Sequence, residues 1–181
     1  MFDTIIFVID VVLIIILLGL IGIKLYLAYI GKENVVVTPS GNFSLVEKNN
    51  DNILLETSVV FKNIGTSCAT IMDAICRPQL PYEQYDKIEA RGKAEWKDAP
   101  REDDYFEAVL IYKKGDERDE ITIVPKVRLT ARKGASLEEA LKGMPDINIE
   151  LIWLETGRVP VNYKKIILRL NGDDVRKLAN I

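Results

Sequence analysis

The sequence predicts a mainly β protein: a single N-terminal transmembrane helix followed by one antiparallel β-sandwich of the immunoglobulin-like kind, with one or two short helices. Residues 5–30 form an almost unbroken apolar run, and a run of that length belongs in lipid. The rest of the chain holds short segments of alternating apolar and polar residues separated by turn residues, which is typical of half-buried strands. We therefore divide the chain into an N-terminal flank (1–4), the anchor (5–30), a juxtamembrane linker (31–40) and the sandwich domain (41–181).

The anchor segment reads IIFVIDVVLIIILLGLIGIKLYLAYI. About 20 apolar residues suffice to cross roughly 30 Å of hydrocarbon at 1.5 Å rise per residue. A removed signal peptide is the alternative, but the first four residues lack a basic region, and Tyr26 replaces the small residue that a cleavage site at Ala28 needs. We therefore expect an uncleaved, single-pass anchor, with the lipid bilayer as its first partner.

Asp10 and Lys24 interrupt the apolar run, and an ionisable residue inside a membrane is a candidate functional group because its burial in lipid is costly. Each lies near one end of a possible span, so a small shift of the helix brings Asp10 to the headgroups and lets Lys24 extend to the interface. In the alternative interpretation, Asp10 pairs with a cation on a partner helix, and the anchor becomes an assembly surface.

The side of the membrane follows from basic residues near the span. None precedes it, whereas Lys24 and Lys32 lie at its C-terminal end, which favours a cytoplasmic sandwich.

Alternation of apolar residues identifies the main strands. In Ile53–Phe61, residues Ile53, Leu55, Val59 and Phe61 share one face. Tyr105–Tyr112 and Ile121–Leu129 flank the charged stretch KKGDERDE and predict an antiparallel hairpin, with Pro125 locally making the second strand an edge or a bulge. A second hairpin is predicted from Ile147, Ile149, Leu151 and Trp153, the turn Thr156-Gly157, and Ile166, Leu168 and Leu170.

Helical signals outside the anchor are short. Ser136 to Glu139 forms a capping box, and Gly143 with Pro145 ends the segment after about two turns. Asp173 or Asp174 is predicted to cap a last helical turn that carries Val175 and Leu178 and docks on the sandwich.

The segment VVFKNIGTSCATI, residues 59–71, carries a resemblance to a known family. Gly65 is expected to permit a turn with positive φ, and Asn63 to bond to nearby backbone. This strand-turn-strand pattern resembles bacterial immunoglobulin-like modules of the CARDB type. The resemblance implies a binding or spacer role without catalytic residues and an extracytoplasmic location, which conflicts with the lysine count.

Composition excludes several kinds of site. The chain has no histidine, which rules out Ser-His-Asp and Cys-His catalysis and histidine-containing zinc sites. Cys68 and Cys76 are too few for a structural zinc site, and we expect two buried thiols over a disulfide. Acidic residues cluster at Glu102, Asp103 and Asp104 and at Asp116, Glu117, Asp119 and Glu120, but neither cluster has the spacing of an EF-hand loop. We predict no metal, no cofactor and no catalytic residue.

Partner classes follow from charge and local composition. The net charge of −3 is dispersed, whereas nucleic-acid binding usually needs a basic stripe, so we predict no nucleic-acid partner. The stretch RPQLPYEQY holds prolines that keep the chain extended and tyrosines that offer contact area. Its interaction candidates are Arg77, Pro78, Leu80, Pro81, Tyr82 and Tyr85, although a plain connection between strands explains the stretch equally well. Trp96 and Trp153 are expected to pack in the core or at its rim.

The sequence therefore predicts a membrane-anchored, non-catalytic interaction or scaffold module with a protein partner in or near the membrane. The alternatives are an envelope or cell-surface module that binds a ligand and, in another class, a carboxylate-based hydrolase acting at the membrane.

Overall fold

The structure is a computed structural model that describes residues 2–81, 83, 85–101 and 106–181. Its three helices are α1 (Phe2–Ile30), α2 (Leu137–Lys142) and α3 (Gly172–Leu178). Its strands are β1 (Val35–Pro39), β2 (Ser44–Lys48), β3 (Asn52–Glu56), β4 (Val59–Asn63), β5 (Ala69–Gln79), β6 (Ile88–Trp96), β7 (Val109–Ile111), β8 (Glu120–Ala131), β9 (Ile147–Thr156) and β10 (Asn162–Leu170). These elements confirm the predicted fold class.

The strands form two antiparallel sheets that pack face to face. The large sheet has the order β1-β4-β8-β3-β2, and β6 pairs with the opposite edge of β8. The small sheet has the order β10-β9-β5-β7. The inward faces of both sheets supply the core, where the Phe61 ring meets the Trp153 ring edge-on at a centroid distance of 5.0 Å. This contact joins the large sheet to the small one.

The segment predicted as one strand, Ile53–Phe61, is split into β3 and β4 by Thr57 and Ser58. Its predicted inward face is nevertheless confirmed, because Ile53, Leu55, Val59 and Phe61 are fully buried. Strand β8 holds both pieces together: Leu55 pairs with Val127 and Val59 with Ile123.

The predicted hairpin of Tyr105–Tyr112 with Ile121–Leu129 is wrong. Strand β7 pairs with β5 in the small sheet, whereas β8 belongs to the large sheet, so the charged loop 112–119 crosses from one sheet to the other. Tyr105 lies outside the described residues. Two apolar runs joined by a charged loop are compatible with a hairpin or with a crossover, and the local pattern does not distinguish them.

Strand β8 has partners along both edges, but at Pro125 itself the pairing toward β3 and β4 is interrupted, between Lys126 and Ile123. The carbonyl oxygen of Pro125 accepts a hydrogen bond from the Thr57 N–H at 3.0 Å. Since the N–H and C=O of a strand residue point to the same edge, the missing N–H of Pro125 faces the gap between β3 and β4. A central strand thus accommodates the proline where its neighbour is interrupted.

The predicted β9–β10 hairpin is confirmed, with Leu151 opposite Ile166. The capping box at the start of α2 is confirmed as well, since the Ser136 hydroxyl accepts a hydrogen bond from the Glu139 N–H at 3.2 Å and the reciprocal bond is present. The predicted aspartate cap of α3 is wrong: its N-cap is Asn171, which makes no side-chain capping bond. Helix α3 does dock on the sandwich, because Val175 is fully buried.

Candidate interaction face and anchor junction

Helix α1 contains the segment Thr4–Ile30, 27 residues long, which is long and apolar enough to span a membrane. At about 1.5 Å per residue this segment measures roughly 40 Å, close to the full bilayer thickness including headgroups. Asp10 and Lys24 are both exposed on it, and their separation of 14 positions places them within about 40° of each other around the helix. One side of the helix therefore carries both charges.

Three connections of the sandwich meet the end of α1. They are the β4–β5 loop (64–68), the β7–β8 loop (112–119) and the β9–β10 turn (157–161), and together with residues 31–34 we call them the anchor end. The Thr66 hydroxyl donates to the Ile30 carbonyl at 3.0 Å, and the Lys114 N–H donates to the Gly65 carbonyl at 2.9 Å. Because the strands of the small sheet end in these connections, they run away from the end at which α1 enters.

Glu33 ties residues 31–34 to the β9–β10 turn. Its carboxylate accepts hydrogen bonds from the backbone N–H groups of Arg158 at 3.0 Å and Val159 at 2.9 Å. Partial burial acts to raise the pKa of Glu33, but bonds from its own N–H and those of Val159 and Arg158, together with nearby Lys32, outweigh burial and lower that pKa below its ordinary value. The carboxylate is thus held ionised by backbone donors.

Asn63 ties the same segment to the β4–β5 loop. Its side-chain oxygen accepts from the N–H groups of Gly65 at 2.9 Å and Asn34 at 3.1 Å, and its amide nitrogen donates to the Ser67 carbonyl at 2.8 Å. The prediction that Asn63 bonds to nearby backbone is confirmed. Strand β1 begins at Val35, inside the predicted linker 31–40, so only four residues separate α1 from the large sheet.

The prediction of a positive φ at Gly65 is wrong, since the glycines with positive φ in the described chain are 31, 41, 115 and 134. Gly65 is required for a different reason: a Cβ there would lie 2.4 Å from the Lys32 carbonyl oxygen and 2.5 Å from the Asn34 nitrogen. No side chain fits at that separation, so the glycine lets two backbone segments touch.

The outer face of the large sheet carries paired charges. Glu95 accepts from Lys126 at 2.6 Å and from Lys93 at 2.9 Å. Burial acts to raise the pKa of Glu95, but these two lysines outweigh it and lower that pKa. Further pairs on the large sheet join Lys62 to Glu120 at 3.3 Å and Arg128 to Glu47 at 3.8 Å. Such a face is compatible with water.

The outer face of the small sheet carries half-buried and exposed apolar side chains, with Lys165 among them opposite Ile152. We call it the apolar face; its residues are Met72, Ile75, Leu110, Ile152, Leu154, Tyr163 and Ile167. The exposed fractions are 80% for Tyr163, 58% for Ile167 and 51% for Ile75. A shallow cavity of about 380 Å³ opens between Ile75, Leu154 and Tyr163.

A bulge in β5 brings Ile75 onto this face. The register of β5 against β9 shifts between Met72 and Ile75, and Asp73 adopts a positive φ of 49°, which Asp tolerates better than most residues. The extra residue turns Ile75 outward and Ala74 inward. Sequence reasoning missed the face, although the signal is present as a spacing of three between the buried residues Ile71 and Ala74.

Charges border the apolar face at the end away from the anchor. Glu150 binds Lys165 at 2.7 Å and stands opposite Arg77 in the β5–β9 register. The salt bridge to Lys165 is the main reason that the pKa of Glu150 is lowered, and Arg77 contributes to the same effect. Counted away from the anchor end, the rows across β5, β9 and β10 are Met72–Leu154–Tyr163, Ile75–Ile152–Lys165 and Arg77–Glu150–Ile167. Lys165 therefore stands in an otherwise apolar row, and Ile167 in the charged one.

The six predicted interaction candidates occupy different environments. Arg77 is exposed beside the apolar face, Pro78 is half-buried and Pro81 is exposed. Leu80 is buried in the core, and the Tyr85 hydroxyl donates to the Ala140 carbonyl of α2; Tyr82 lies outside the described residues. This stretch leads from β5 of the small sheet to β6 of the large one, and among its described candidates only Arg77 borders the apolar face.

Two cysteines, two tryptophans and two acidic clusters also stand out in the sequence. Both cysteines are free thiols, as predicted, but only Cys76 is buried, whereas Cys68 is half-buried. Burial raises the pKa of Cys76 to about 12. Trp153 is buried and Trp96 half-buried. Residues Glu102, Asp103 and Asp104 lie outside the described ranges, and within those ranges no three Asp, Glu or Cys side chains are grouped so as to hold a metal ion.

Comparison with known proteins yields no family. No protein-family model matches the chain, and no curated protein matches it. Among solved structures, it is similar to the GAE domain of GGA2p from Saccharomyces cerevisiae (8% identity, 78% of this chain and 99% of that one, TM-score 0.33). It is also similar to the CooA pilin subunit from enterotoxigenic Escherichia coli (11% identity, 76% of this chain and 97% of that one, TM-score 0.33). At these TM-scores neither likeness supports a functional argument.

Proposed function

We propose that the protein is a membrane-anchored, non-catalytic interaction subunit whose apolar face binds a protein next to the bilayer. The contrast between the two outer faces is the observation that carries this proposal. The outer face of the large sheet carries ion pairs such as Lys126–Glu95 beside small apolar side chains such as Val36, whereas the small sheet leaves the larger Tyr163, Ile167 and Ile75 exposed. A contiguous apolar patch with a charged border is typical of a protein-binding surface.

The anchor junction supports the same proposal. Hydrogen bonds from Thr66 to Ile30 and from the β9–β10 turn to Glu33 hold the sandwich directly against α1. A partner that reaches the apolar face therefore meets it at a fixed height above the membrane. This geometry suits a subunit of a membrane complex better than a freely tethered domain.

Site-specific photo-crosslinking in native membranes tests the proposal. A photoreactive amino acid at Ile75, which is 51% exposed on the apolar face, should give a discrete crosslinked protein. The matched control is Val46 of the large sheet, which is 49% exposed and should give none. Equal crosslinking at both positions, or no adduct at Ile75, would contradict the proposal.

Assembly through the anchor is a second component of the proposal. Asp10 and Lys24 lie on one side of α1, so a partner helix with the opposite charges would satisfy both. We expect Asp10→Leu to release a stoichiometric membrane partner that the Lys113→Ala variant retains, as measured by co-purification. Retention of that partner by the Asp10 variant would exclude this component. No specific observation in the described chain favours the ligand-binding or hydrolase alternative.

A further inference from the structure

We infer that the protein bound to the apolar face is a second copy of this chain. A twofold axis relates the two copies; it lies between their two small sheets, runs approximately along the strands and passes over the gap between β5 and β9. This inference rests on the proposed function and names the partner of the same face. Three observations carry it: the position of the anchor, the register of β5 against β9, and the charges that border the face.

The anchor restricts how two copies can meet. Both α1 helices enter the sandwich at the anchor end, so two copies in one membrane stand parallel, and their twofold axis must lie along the membrane normal. The strands of the small sheet run away from that end, and the inferred arrangement requires them to run approximately along the same axis. The short junction at Glu33 and Asn63 holds both copies at equal height. Residues at the same height therefore face each other.

The apolar rows are self-complementary about such an axis. Met72 pairs with Leu154, and Ile75 pairs with Ile152, across β5 and β9. Rotation about this axis places β5 of one copy opposite β9 of the second copy at the same height. Each residue therefore faces, in the second copy, the residue that is its own cross-strand partner within one chain. Met72 then packs on Leu154, and Ile75 on Ile152. A tilt of about 15° of each sheet from the axis gives the aligned packing angle of roughly 30° that sandwiches prefer.

The charged row selects this axis over its neighbours. Arg77 pairs with Glu150 in the same register, so the axis between β5 and β9 brings the Arg77 guanidinium of one copy to the Glu150 carboxylate of the second copy. An axis through β9 would instead place two Glu150 carboxylates against each other, which is unfavourable in a desolvated interface. Lys165 binds Glu150 within the same chain at 2.7 Å, and Arg77 of that chain stands opposite it, so Arg77 of the second copy would be the third cation around each carboxylate.

Disulfide crosslinking between two tagged full-length chains tests the inference in native membranes. Both chains carry Cys68→Ala and Cys76→Ala; one adds Ile75→Cys and the other Ile152→Cys. We expect mild oxidation to link the two differently tagged chains in preference to either chain with itself. A pair in which both chains carry Val46→Cys is the matched control and should stay unlinked.

The charged row provides a second measurement. Arg77 is exposed, so Arg77→Glu should fold normally and reduce the disulfide yield severalfold, and Glu150→Lys in the opposite chain should restore it. Preferential linkage of Ile152→Cys with itself would overturn the proposed axis. Absence of any disulfide together with photo-crosslinking from Ile75 to a different protein would overturn the second copy and leave the proposed function intact. Absence of both kinds of crosslink would overturn the two proposals together.

Discussion

Asn63 illustrates how a single buried residue organises the anchor end. Its side chain bonds to Gly65 and Ser67 in the β4–β5 loop and to Asn34 beside β1. Apolar atoms cannot replace these bonds, because each satisfies a backbone group that would otherwise be left without this partner, at a cost of about 1–3 kcal/mol per group. Asn63 and the nearby Gly65 thus determine how the chain passes from α1 to the large sheet.

Gly65→Ala should destabilise the sandwich because its methyl group would meet the Lys32 carbonyl oxygen and the Asn34 nitrogen, both backbone atoms. We expect a loss of about 3 kcal/mol in the free energy of unfolding, at the upper end of overpacking effects. Denaturant unfolding of the full chain in detergent measures it. The control is Gly134→Ala, where φ is +73° but the surrounding space is open, with an expected loss of about 1 kcal/mol. Equal losses would show that the close approach at Gly65 is unimportant.

Glu33 should make the stability of the junction depend on pH. Because its pKa is lowered in the folded protein, its contribution is fully present above the unfolded value of about 4.3 and is lost as the pH falls through the folded pKa. Glu33→Gln removes this titration. We therefore expect the wild-type advantage over Glu33→Gln, measured as the difference in melting temperature, to shrink between pH 6 and pH 3. A constant difference across that range would contradict the assignment.

At the scale of elements, alternation predicted which residues are buried better than it predicted which strands pair. Period-two patterns and nearby turns predicted the buried face of Ile53–Phe61 and the β9–β10 hairpin. These patterns do not predict which strands pair when they lie far apart in the sequence: β8 pairs with β3, β4 and β6, and β7 pairs with β5. The bulge at Asp73, which brings Ile75 onto the apolar face, depends on a φ value that residue type only weakly indicates.

The helix caps give a test at this scale. The Ser136 hydroxyl caps α2 by accepting a hydrogen bond from the Glu139 N–H, so Ser136→Ala should lower the free energy of unfolding by about 1 kcal/mol. Asn171 occupies the same position in α3 without a side-chain capping bond, so Asn171→Ala should cost less. Urea unfolding of both variants compares them. A larger loss for Asn171→Ala would reverse the assigned roles.

At the scale of the whole molecule, hydrogen bonds from Thr66 and to Glu33 join the end of α1 and residues 31–34 to the sandwich. The composition and the apolar run were enough to predict a mainly β domain behind a helix long and apolar enough to span a membrane. Among its described candidates, the predicted recognition stretch contributes only Arg77 next to the apolar face, because whether a residue faces outward depends on the register that the fold imposes. The resemblance of residues 59–71 to CARDB-type modules remains a prediction. Strands β4 and β5 lie in different sheets, and neither this arrangement nor the likeness to solved structures tests the resemblance.

The central claim is that another protein covers the apolar face of the sandwich when the chain is in its native membrane. Thiol accessibility is the most direct test of this claim. A cysteine at Ile75 and, separately, one at Val46 are introduced into the full chain lacking Cys68 and Cys76, and the rate of maleimide modification is measured in native membranes and after solubilisation in a dissociating detergent. We predict that Ile75→Cys reacts much more slowly in native membranes than in detergent, while Val46→Cys reacts at similar rates in both. Equal reactivity of Ile75→Cys in the two conditions would contradict the account.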